Sequence, residues 1–116
     1  MILNDIKTAL ENVDPKVYYG MAGSLEDTDL WDYVVFSRDT LGVTGQKTGY
    51  AEKFQVAIVR EEFIPNETVD DVIDAMLSID GMRLAGSDFA FQYTKKPNTS
   101  TVIELLVLSF MKPRKR

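Results

Sequence analysis

The sequence predicts an α+β domain built on a mostly antiparallel sheet with two helices. Several short segments alternate apolar and polar residues, which is typical of strands. Two other segments space apolar residues three and four apart, which is typical of amphipathic helices. The predicted order is helix, strand, strand, long loop, strand, helix, strand, strand. At 116 residues, the chain is expected to form one domain over residues 1–111, followed by a basic tail at 112–116.

The first helix is predicted over Ile2 to Val13, and Asp14-Pro15 ends it because a residue before proline avoids helical geometry. A short β-branched and aromatic strand follows at Val17 to Tyr19. An acidic connector then leads to a second strand at Tyr33 to Phe36. These elements supply one helix and two strands to the predicted domain.

Residues Asp39 to Tyr50 contain three glycines and three threonines and show no sustained hydrophobic period. They predict a long, mobile connection between two antiparallel strands, and loops of this length are usually functional or disordered. The segment does not match a phosphate-binding loop, because Gln46 separates Gly45 from Lys47 and a strand follows where a helix is required. Nucleotide binding is therefore not expected here.

A long strand is predicted from Lys53, with Phe54, Val56 and Ile58 on its fully apolar face. Pro65 ends it, and Thr68 with Asp71 resembles a capping box that would start the second helix. This helix is predicted to end at Gly81 and to bury five apolar residues, namely Val69, Val72, Ile73, Met76 and Leu77.

Met82 to Gly86 reads as a short extended piece, and the aromatic strand after it ends in a hairpin turn at Lys95 to Thr99. The last strand, Thr101 to Met111, is apolar on both faces, so both faces should be covered. Two helices on one face would leave the other face bare. We expect that bare face to form an interface between copies of the chain.

Composition excludes several classes of chemistry. The chain has no cysteine and no histidine, which excludes thiolate and imidazole metal sites and the common nucleophile–base pairs. The acids Glu61, Glu62, Asp70, Asp71 and Asp74 match no known metal cage and are expected to form a solvated face. No catalytic residue, cofactor or metal is therefore expected, and the chain is not expected to be an enzyme.

The net charge is −5, but residues 1–111 alone have nine bases and eighteen acids. A body with that charge should repel nucleic acid. The expected functional residues are therefore those of a protein interface: the glycine-rich loop, one face of the last strand and the basic tail. These are Leu41, Gly42, Val43, Thr44, Gly45, Gln46, Lys47, Thr48, Val102, Leu106, Leu108, Phe110, Lys112, Arg114, Lys115 and Arg116.

The order of elements resembles the tail terminator (tail completion) proteins of long-tailed bacteriophages over nearly the whole chain. The resemblance rests on Val17 to Gly20 as a first strand, Tyr33 to Phe36 as a second, and Phe54 to Ile58 leading into an acidic helix that ends at Met76 to Met82. An aromatic strand, a Pro-Asn-Thr turn and a final apolar strand complete it. Asp32 stands where the family often has proline.

The resemblance implies a structural role in the virion tail, with assembly in the bacterial cytoplasm. The protein would form a ring with itself, hexameric in that family, on the tail tube protein, and would meet a head-connector protein. DNA would pass through the ring without specific binding, and no membrane would be involved. Other interpretations remain: another head–tail connector or minor capsid component, a small carboxylate-dependent enzyme, or a ligand-binding module that uses the aromatic cluster of Trp31, Tyr33, Tyr18 and Tyr19.

Overall fold

A computed structural model describes residues 2–20, 32–43, 49–96 and 98–115 of the chain. Within these residues the fold is α+β, with two helices and a six-stranded, mostly antiparallel sheet. The elements in chain order are α1 (Ile2–Glu11), β1 (Val17–Tyr19), β2 (Tyr33–Val43), β3 (Gly49–Glu61), α2 (Asn66–Leu77), β4 (Arg83–Leu84), β5 (Phe91–Lys95) and β6 (Val102–Lys115). The predicted order differs in one strand, because the extended piece at Arg83–Leu84 joins the sheet as β4.

Strand β6 is the longest strand in the described part of the chain and holds most of the sheet together. The strands lie in the order β1-β2-β3-β6-β4, and β5 also pairs with β6. Strand β1 is parallel to β2, and every other pairing is antiparallel. Strands β4 and β5 pair with different halves of β6, so its two ends have different neighbours.

The core lies between the two helices and one face of the sheet. Ile6 and Leu10 of α1 and Val72 and Met76 of α2 are fully buried there. They pack with the sheet residues Val34, Phe36, Phe54, Val56, Ile58, Leu106, Leu108 and Phe110. Both helices of the described residues therefore pack on the same face of the sheet, which is the condition under which the other face was expected to be bare.

The prediction of which face stays bare is wrong. Leu106, Leu108 and Phe110 were expected on the uncovered face, but they are buried beneath the helices. Both faces of β6 are apolar, so its sequence alone could not show which face the helices choose. The helices cover the even-numbered side, which contains Phe110 opposite Phe54, the two largest fully buried side chains. Large aromatic rings contribute most of the apolar area that folding can bury.

The predicted loop and tail are also largely strand. Strand β2 continues to Val43 and β3 begins at Gly49, so only residues 44–48 of the predicted connection lie outside the described residues. Strand β6 continues to Lys115, where a frayed tail was expected, and its residues 112–115 pair with residues 49–52 of β3. Charged and aromatic cross-strand partners, described below, hold this segment in the sheet.

Helix α2 begins differently from the prediction. The capping box at Thr68 and Asp71 is wrong, because the N-cap position is Pro65 and no side chain bonds the cap. The Pro65 carbonyl instead accepts hydrogen bonds from the backbone N–H groups of Thr68 and Val69. Proline suits the start of a helix for two reasons: its φ is fixed near the helical value, and it has no N–H group that would be left without a partner there. Leu77, predicted to be buried, is exposed at the other end of the helix.

Helix α2 ends at Leu77 with Ser78 as its C-cap, so Gly81, which was predicted to end the helix, lies three residues past the cap, where it has a φ of +81°. A Cβ at Gly81 would lie 3.2 Å from the Lys112 Nζ, which donates a hydrogen bond to the Asp80 carbonyl. Gly20 also has a positive φ, +78°, but a Cβ there would meet nothing within 4 Å. The two glycines therefore share a positive φ and differ in whether an added Cβ would contact a neighbouring side chain, so Gly20 is a control for Gly81.

We expect Gly81→Ala and Gly20→Ala each to lower the free energy of unfolding by about 1–2 kcal/mol, since an L-residue is strained at positive φ. Gly81→Ala should cost roughly 0.5–1 kcal/mol more, because it also displaces the Lys112 hydrogen bond. Urea denaturation followed by circular dichroism measures both. Equal losses would show that the contact with Lys112 contributes nothing.

Candidate functional site

Three strands continue beyond the core as a projecting arm, defined by residues 38–43 of β2, 49–53 of β3 and 112–115 of β6. The last fully buried cross-strand pair is Phe54 with Phe110, and the arm begins directly after it. The molecule is accordingly elongated, with extents of 52 × 26 × 25 Å. Leu41 and Val43 in the arm are 51% and 82% exposed. The arm therefore presents apolar side chains to solvent.

A bulge in β2 explains why the arm was mistaken for a loop. Arg38 pairs with Phe54 but Leu41 pairs with Glu52, so Asp39 and Thr40 together lie opposite one residue of β3. The core-facing residues Val34 and Phe36 are even-numbered before the bulge, whereas the residues that continue the same face after it, Leu41 and Val43, are odd-numbered. The bulge thus interrupts the period of two by which a strand is recognised.

Arg114 is the centre of the contacts within the arm. Its guanidinium lies 5.1 Å from the centre of the Tyr50 ring and its Nε lies 3.5 Å from the Glu52 carboxylate. Tyr50 and Arg114 are direct cross-strand partners, as are Glu52 and Lys112. Glu52 is buried among these neighbours, and a groove of about 310 Å³ runs beside it along Arg38 and Lys53. Opposite charges facing each other across strands stabilise the arm.

Pro113 protects the outer edge of β6 in the arm. Strand β5 covers residues 102–106 of β6 and β4 covers residues 110–111, so the edge beyond them has no partner strand among the described residues. Proline has no N–H to donate, which is why it occurs at sheet edges and discourages further strand pairing. The arm is therefore more suited to contacts through its face than to addition of another strand at this edge.

A second exposed apolar surface, the aromatic patch, lies at the opposite end of β6 and consists of Phe63, Phe91, Tyr93 and Val102. Phe63 and Tyr93 are 64% and 63% exposed. Tyr93 of the patch lies directly across from the buried Glu104, whose Oε1 accepts a hydrogen bond of 2.7 Å from the Ile64 N–H. Exposed aromatic side chains are typical of protein interfaces.

A tight turn presents Phe63 in this patch. The Phe63 N–H bonds the Glu61 carbonyl at 2.9 Å, and Glu62 between them has a φ of +69°. This is a γ-turn of the rare form that strains a residue with a side chain. The Glu62 N–H bonds the Val102 carbonyl at 2.7 Å, which fixes the turn to the start of β6. The backbone therefore holds Phe63 outward despite its apolar side chain.

The Tyr93 hydroxyl donates a hydrogen bond to the Glu104 carboxylate, which raises the pKa of the phenol above its ordinary value of 10.0. A raised pKa means that the bond stabilises the fold fully below pH 10, and that this contribution disappears as pH rises through the raised value. Burial raises the pKa of Tyr33 as well, and Tyr18 adds to this effect.

We expect alkaline titration, followed by phenolate absorbance, to show a phenol in the native protein that ionises above its ordinary range and is missing from Tyr93→Phe. Tyr33→Phe serves as a control, because it removes the other raised phenol. Loss of the same high-pH component from both variants, or from neither, would contradict the assignment to Tyr93.

The second face of the sheet, on the side away from the helices, is apolar in its centre. Val59 and Ile103 are buried there, while Val35, Leu105 and Val107 are half-buried. Both helices within the described residues pack on the other face. This second face has the character that was predicted for the bare face, but it is formed by the odd-numbered residues of β6.

The remaining predicted site residues divide into three groups. Leu41, Gly42, Val43, Lys112 and Arg114 lie together in the arm, and Lys115 is the last residue of β6 there. Val102 lies in the aromatic patch at the other end. The five loop residues Thr44, Gly45, Gln46, Lys47 and Thr48 lie outside the described residues, as does Arg116.

Sequence reasoning missed Tyr50, Glu52, Arg38 and Lys53 in the arm and Phe63, Phe91 and Tyr93 in the patch. The sequence did contain one signal for the arm, since Tyr50 and Glu52 alternate in phase with Phe54 and Val56. For the patch it contained none, because alternating aromatic residues usually indicate a core.

The two alternative sites suggested by the sequence, the aromatic cluster and a carboxylate metal site, lie partly within the described residues. Tyr18 and Tyr33 meet edge to face with ring centres 5.9 Å apart, and Tyr19 packs on Phe36 at 5.1 Å. Trp31 lies outside the described residues. Over the part of the chain that the structure describes, no group of three or more acidic side chains could hold a metal ion. In the same residues no helix combines the length and apolar character needed to cross a membrane.

Two comparisons with known proteins, by family models and by curated sequences, found no match. The chain matches none of the protein-family models against which it was scanned, and a search of curated proteins finds none that is significantly similar. Function must therefore be argued from the surfaces of the chain itself.

Proposed function

We propose that the chain is a structural subunit of a bacteriophage virion, of the kind that forms a ring on the end of the tail tube and offers a joining surface to the head. The observation that supports this proposal best is the pair of exposed apolar surfaces, the arm and the aromatic patch, at opposite ends of β6. Apolar surface exposed in this way is characteristic of proteins that assemble.

The positions of the two surfaces favour a ring over a symmetric dimer. Strand β6 has fourteen residues, and at about 3.4 Å per residue it separates its ends by about 45 Å. Surfaces that far apart and unlike each other cannot make one self-complementary contact. A heterologous contact made by either of them closes into a ring when the rotation between subunits permits. Strand β6 thus places two different contacts on each subunit.

The charge of the chain suits a channel for DNA. The whole chain has eighteen acids against thirteen bases, and its acids concentrate outside the arm. An acidic wall repels phosphates, so DNA could slide past without binding. A ring of such subunits would be joined by apolar contacts between proteins and would enclose a channel that does not bind the DNA passing through it.

Deleting this gene from a phage that carries it tests the proposal. We expect tails of uncontrolled length that lack heads, because nothing would stop growth of the tube, and electron microscopy of the lysate measures this. A plasmid copy of the gene should restore normal tails. Tails of normal length without heads would indicate a different neck component, and fully normal virions would contradict the proposal.

Point variants then show which surface is used. Leu41→Ser with Val43→Ser alters the arm, and Phe63→Ser with Phe91→Ser alters the patch, all at exposed positions. We expect either pair to leave the melting temperature within a few degrees of the native value and to abolish rescue by the plasmid. Rescue by both pairs would show that neither surface takes part in assembly.

A further inference from the structure

Charge is divided between the arm and the helices. The arm residues include five bases and two acids, for a net charge of +3, although the whole chain is at −5. The two helices have the opposite balance, with one base against six acids. The acids are Asp5, Glu11, Glu67, Asp70, Asp71 and Asp74. The molecule therefore has a basic end and an acidic side.

The acidic side contains a cleft between the two helices. The cleft has a volume of about 460 Å³; Ala9, Val13 and Ala75 contribute apolar groups to its lining, and Asn12 and Ser78 contribute polar ones. Asp71 and Asp74 also line it, and neither carboxylate has an ion pair among the described residues. The cleft thus combines apolar surface with unpaired negative charge.

The arm presents the matching combination. Leu41, Val43 and Arg38 are exposed on the side of the arm that continues the Phe54 face of the sheet. Lys53 is exposed and alternates to the opposite side of β3, although it lines the same groove as Arg38. Neither base has an ion pair in the described part of the chain. We propose that the arm of one copy binds the acidic cleft between α1 and α2 of a second copy. This contact rests on the proposed ring and specifies which surfaces join its subunits.

The features of the two surfaces favour a second copy over nucleic acid as the partner of the arm. Nucleic acid would bind the bases of the arm but leave Leu41 and Val43 without apolar partners, and Asp39 and Glu52 lie among those bases. The cleft offers apolar contacts and negative charge together. Complementary charges also fix which surfaces meet and speed their encounter.

A charge-swap experiment tests this contact. The arm-reversed variant is Arg38→Glu with Lys53→Glu, and the cleft-reversed variant is Asp71→Lys with Asp74→Lys. Each variant alone places like charges across the contact, so we expect its dissociation constant for self-association to rise about tenfold or more over the native protein. Analytical ultracentrifugation measures self-association, and circular dichroism confirms that each variant is folded.

Mixing the two variants gives the decisive result. The acidic arm of one meets the basic cleft of the other, and the basic arm meets the acidic cleft, so an equimolar mixture should regain the native assembly. A chain with all four substitutions should assemble alone. The inference would be overturned if the arm-reversed variant and the cleft-reversed variant, each tested alone, associated as strongly as the native protein. It would also be overturned if neither the mixture nor the four-substitution chain assembled.

Three further outcomes separate this inference from its rivals. If the native protein does not associate even at millimolar concentration, the ring itself fails and the contact fails with it. If the native protein associates and both reversed variants match it, the ring stands and only this contact is overturned. If the arm-reversed variant associates normally but loses binding to a duplex DNA probe, the arm is a nucleic-acid surface instead.

Should a reversed variant fail to fold, the native protein still tests the contact. Oppositely charged exposed surfaces attract less as salt rises. We expect its dissociation constant to increase at least several-fold between 50 mM and 500 mM sodium chloride. An affinity that stays constant or strengthens over this range would contradict charge pairing.

Discussion

Replacing Asp14 by alanine is expected to lower the free energy of unfolding by about 3–5 kcal/mol, the usual result of breaking a buried ion pair. The Asp14 Oδ2 lies 2.6 Å from the Arg60 Nη2, with only 5% and 14% of the two side chains exposed. Domains of this kind are stable by about 5–15 kcal/mol, so much of the fold's stability depends on this pair.

The position of the pair explains the size of the effect. The Asp14 Oδ1 accepts the Lys16 N–H at 2.8 Å, which orders the turn between α1 and β1. The Arg60 Nη1 donates to the carbonyls of Val59 at 2.9 Å and Tyr33 at 3.3 Å. The pair therefore joins the end of α1 to the strands β2 and β3, and the alanine variant would leave a guanidinium that is only 14% exposed without its carboxylate.

A double-mutant cycle with Arg60→Met checks this result, since it isolates the energy of the pair. We expect Asp14→Ala to cost much less when Arg60 is already methionine, as measured by urea denaturation. Asp14→Asn, which keeps an acceptor for Lys16, should fall between the native protein and Asp14→Ala. If Asp14→Ala costs the same with either residue at position 60, the pair does not stabilise the fold.

Phe110→Ala should destabilise the protein by about 3–5 kcal/mol, because it opens a cavity in a closely packed core. Phe110 and Phe54 are cross-strand partners, and both are fully buried beneath the helices. The loss should be the same at every protein concentration, since the side chain supports the fold of the individual chain.

Val43→Ala is the matched control, because Val43 is 82% exposed in the arm. It should change the free energy of unfolding by less than about 0.5 kcal/mol, as surface substitutions usually do. Thermal melting of both variants over a hundredfold range of concentration provides the measurement. A Phe110→Ala loss that appears only at concentrations where the native protein associates would restore Phe110 as an interface residue.

The helical and central parts of the fold could be predicted because their patterns are local. Spacings of three and four in α1 and α2, the stop at Asp14-Pro15 and the alternation around Val56 each depend on a few neighbouring residues. The hairpin turn was equally visible, and Asn98 adopts a φ of +62° there, which asparagine tolerates well.

The arm could not be predicted because its strands depend on distant partners. Residues 112–115 look like a charged tail until Tyr50 and Glu52 are placed opposite Arg114 and Lys112. The bulge at Asp39 and Thr40 removes the alternation that would have revealed β2. Contacts between residues some sixty positions apart leave no trace in a window of ten or twenty.

The candidate surfaces were found only in part for a similar reason. Both sides of β6 are apolar, so the choice between Leu106 and Leu105 depends on where the helices lie. Glu104 reads as an isolated polar residue, yet it is bonded by the Ile64 N–H and the Tyr93 hydroxyl from two other segments. The buried face of β6 and the hydrogen bonds of Glu104 both depend on tertiary packing, which local sequence patterns do not predict.

Strand β6 is continuous from the aromatic patch to the arm, so its length sets the distance between the two surfaces and its alternation sets the side of the sheet that each one occupies. Val102 and Arg114 are both even-numbered and therefore point to the same side of the sheet. One residue inserted in β6 would turn Lys112 and Arg114 to the opposite side, whereas two would restore their side about 7 Å farther away. The length of β6 should therefore vary among homologues in steps of two residues, unless a bulge such as that at Asp39 and Thr40 absorbs a single inserted residue.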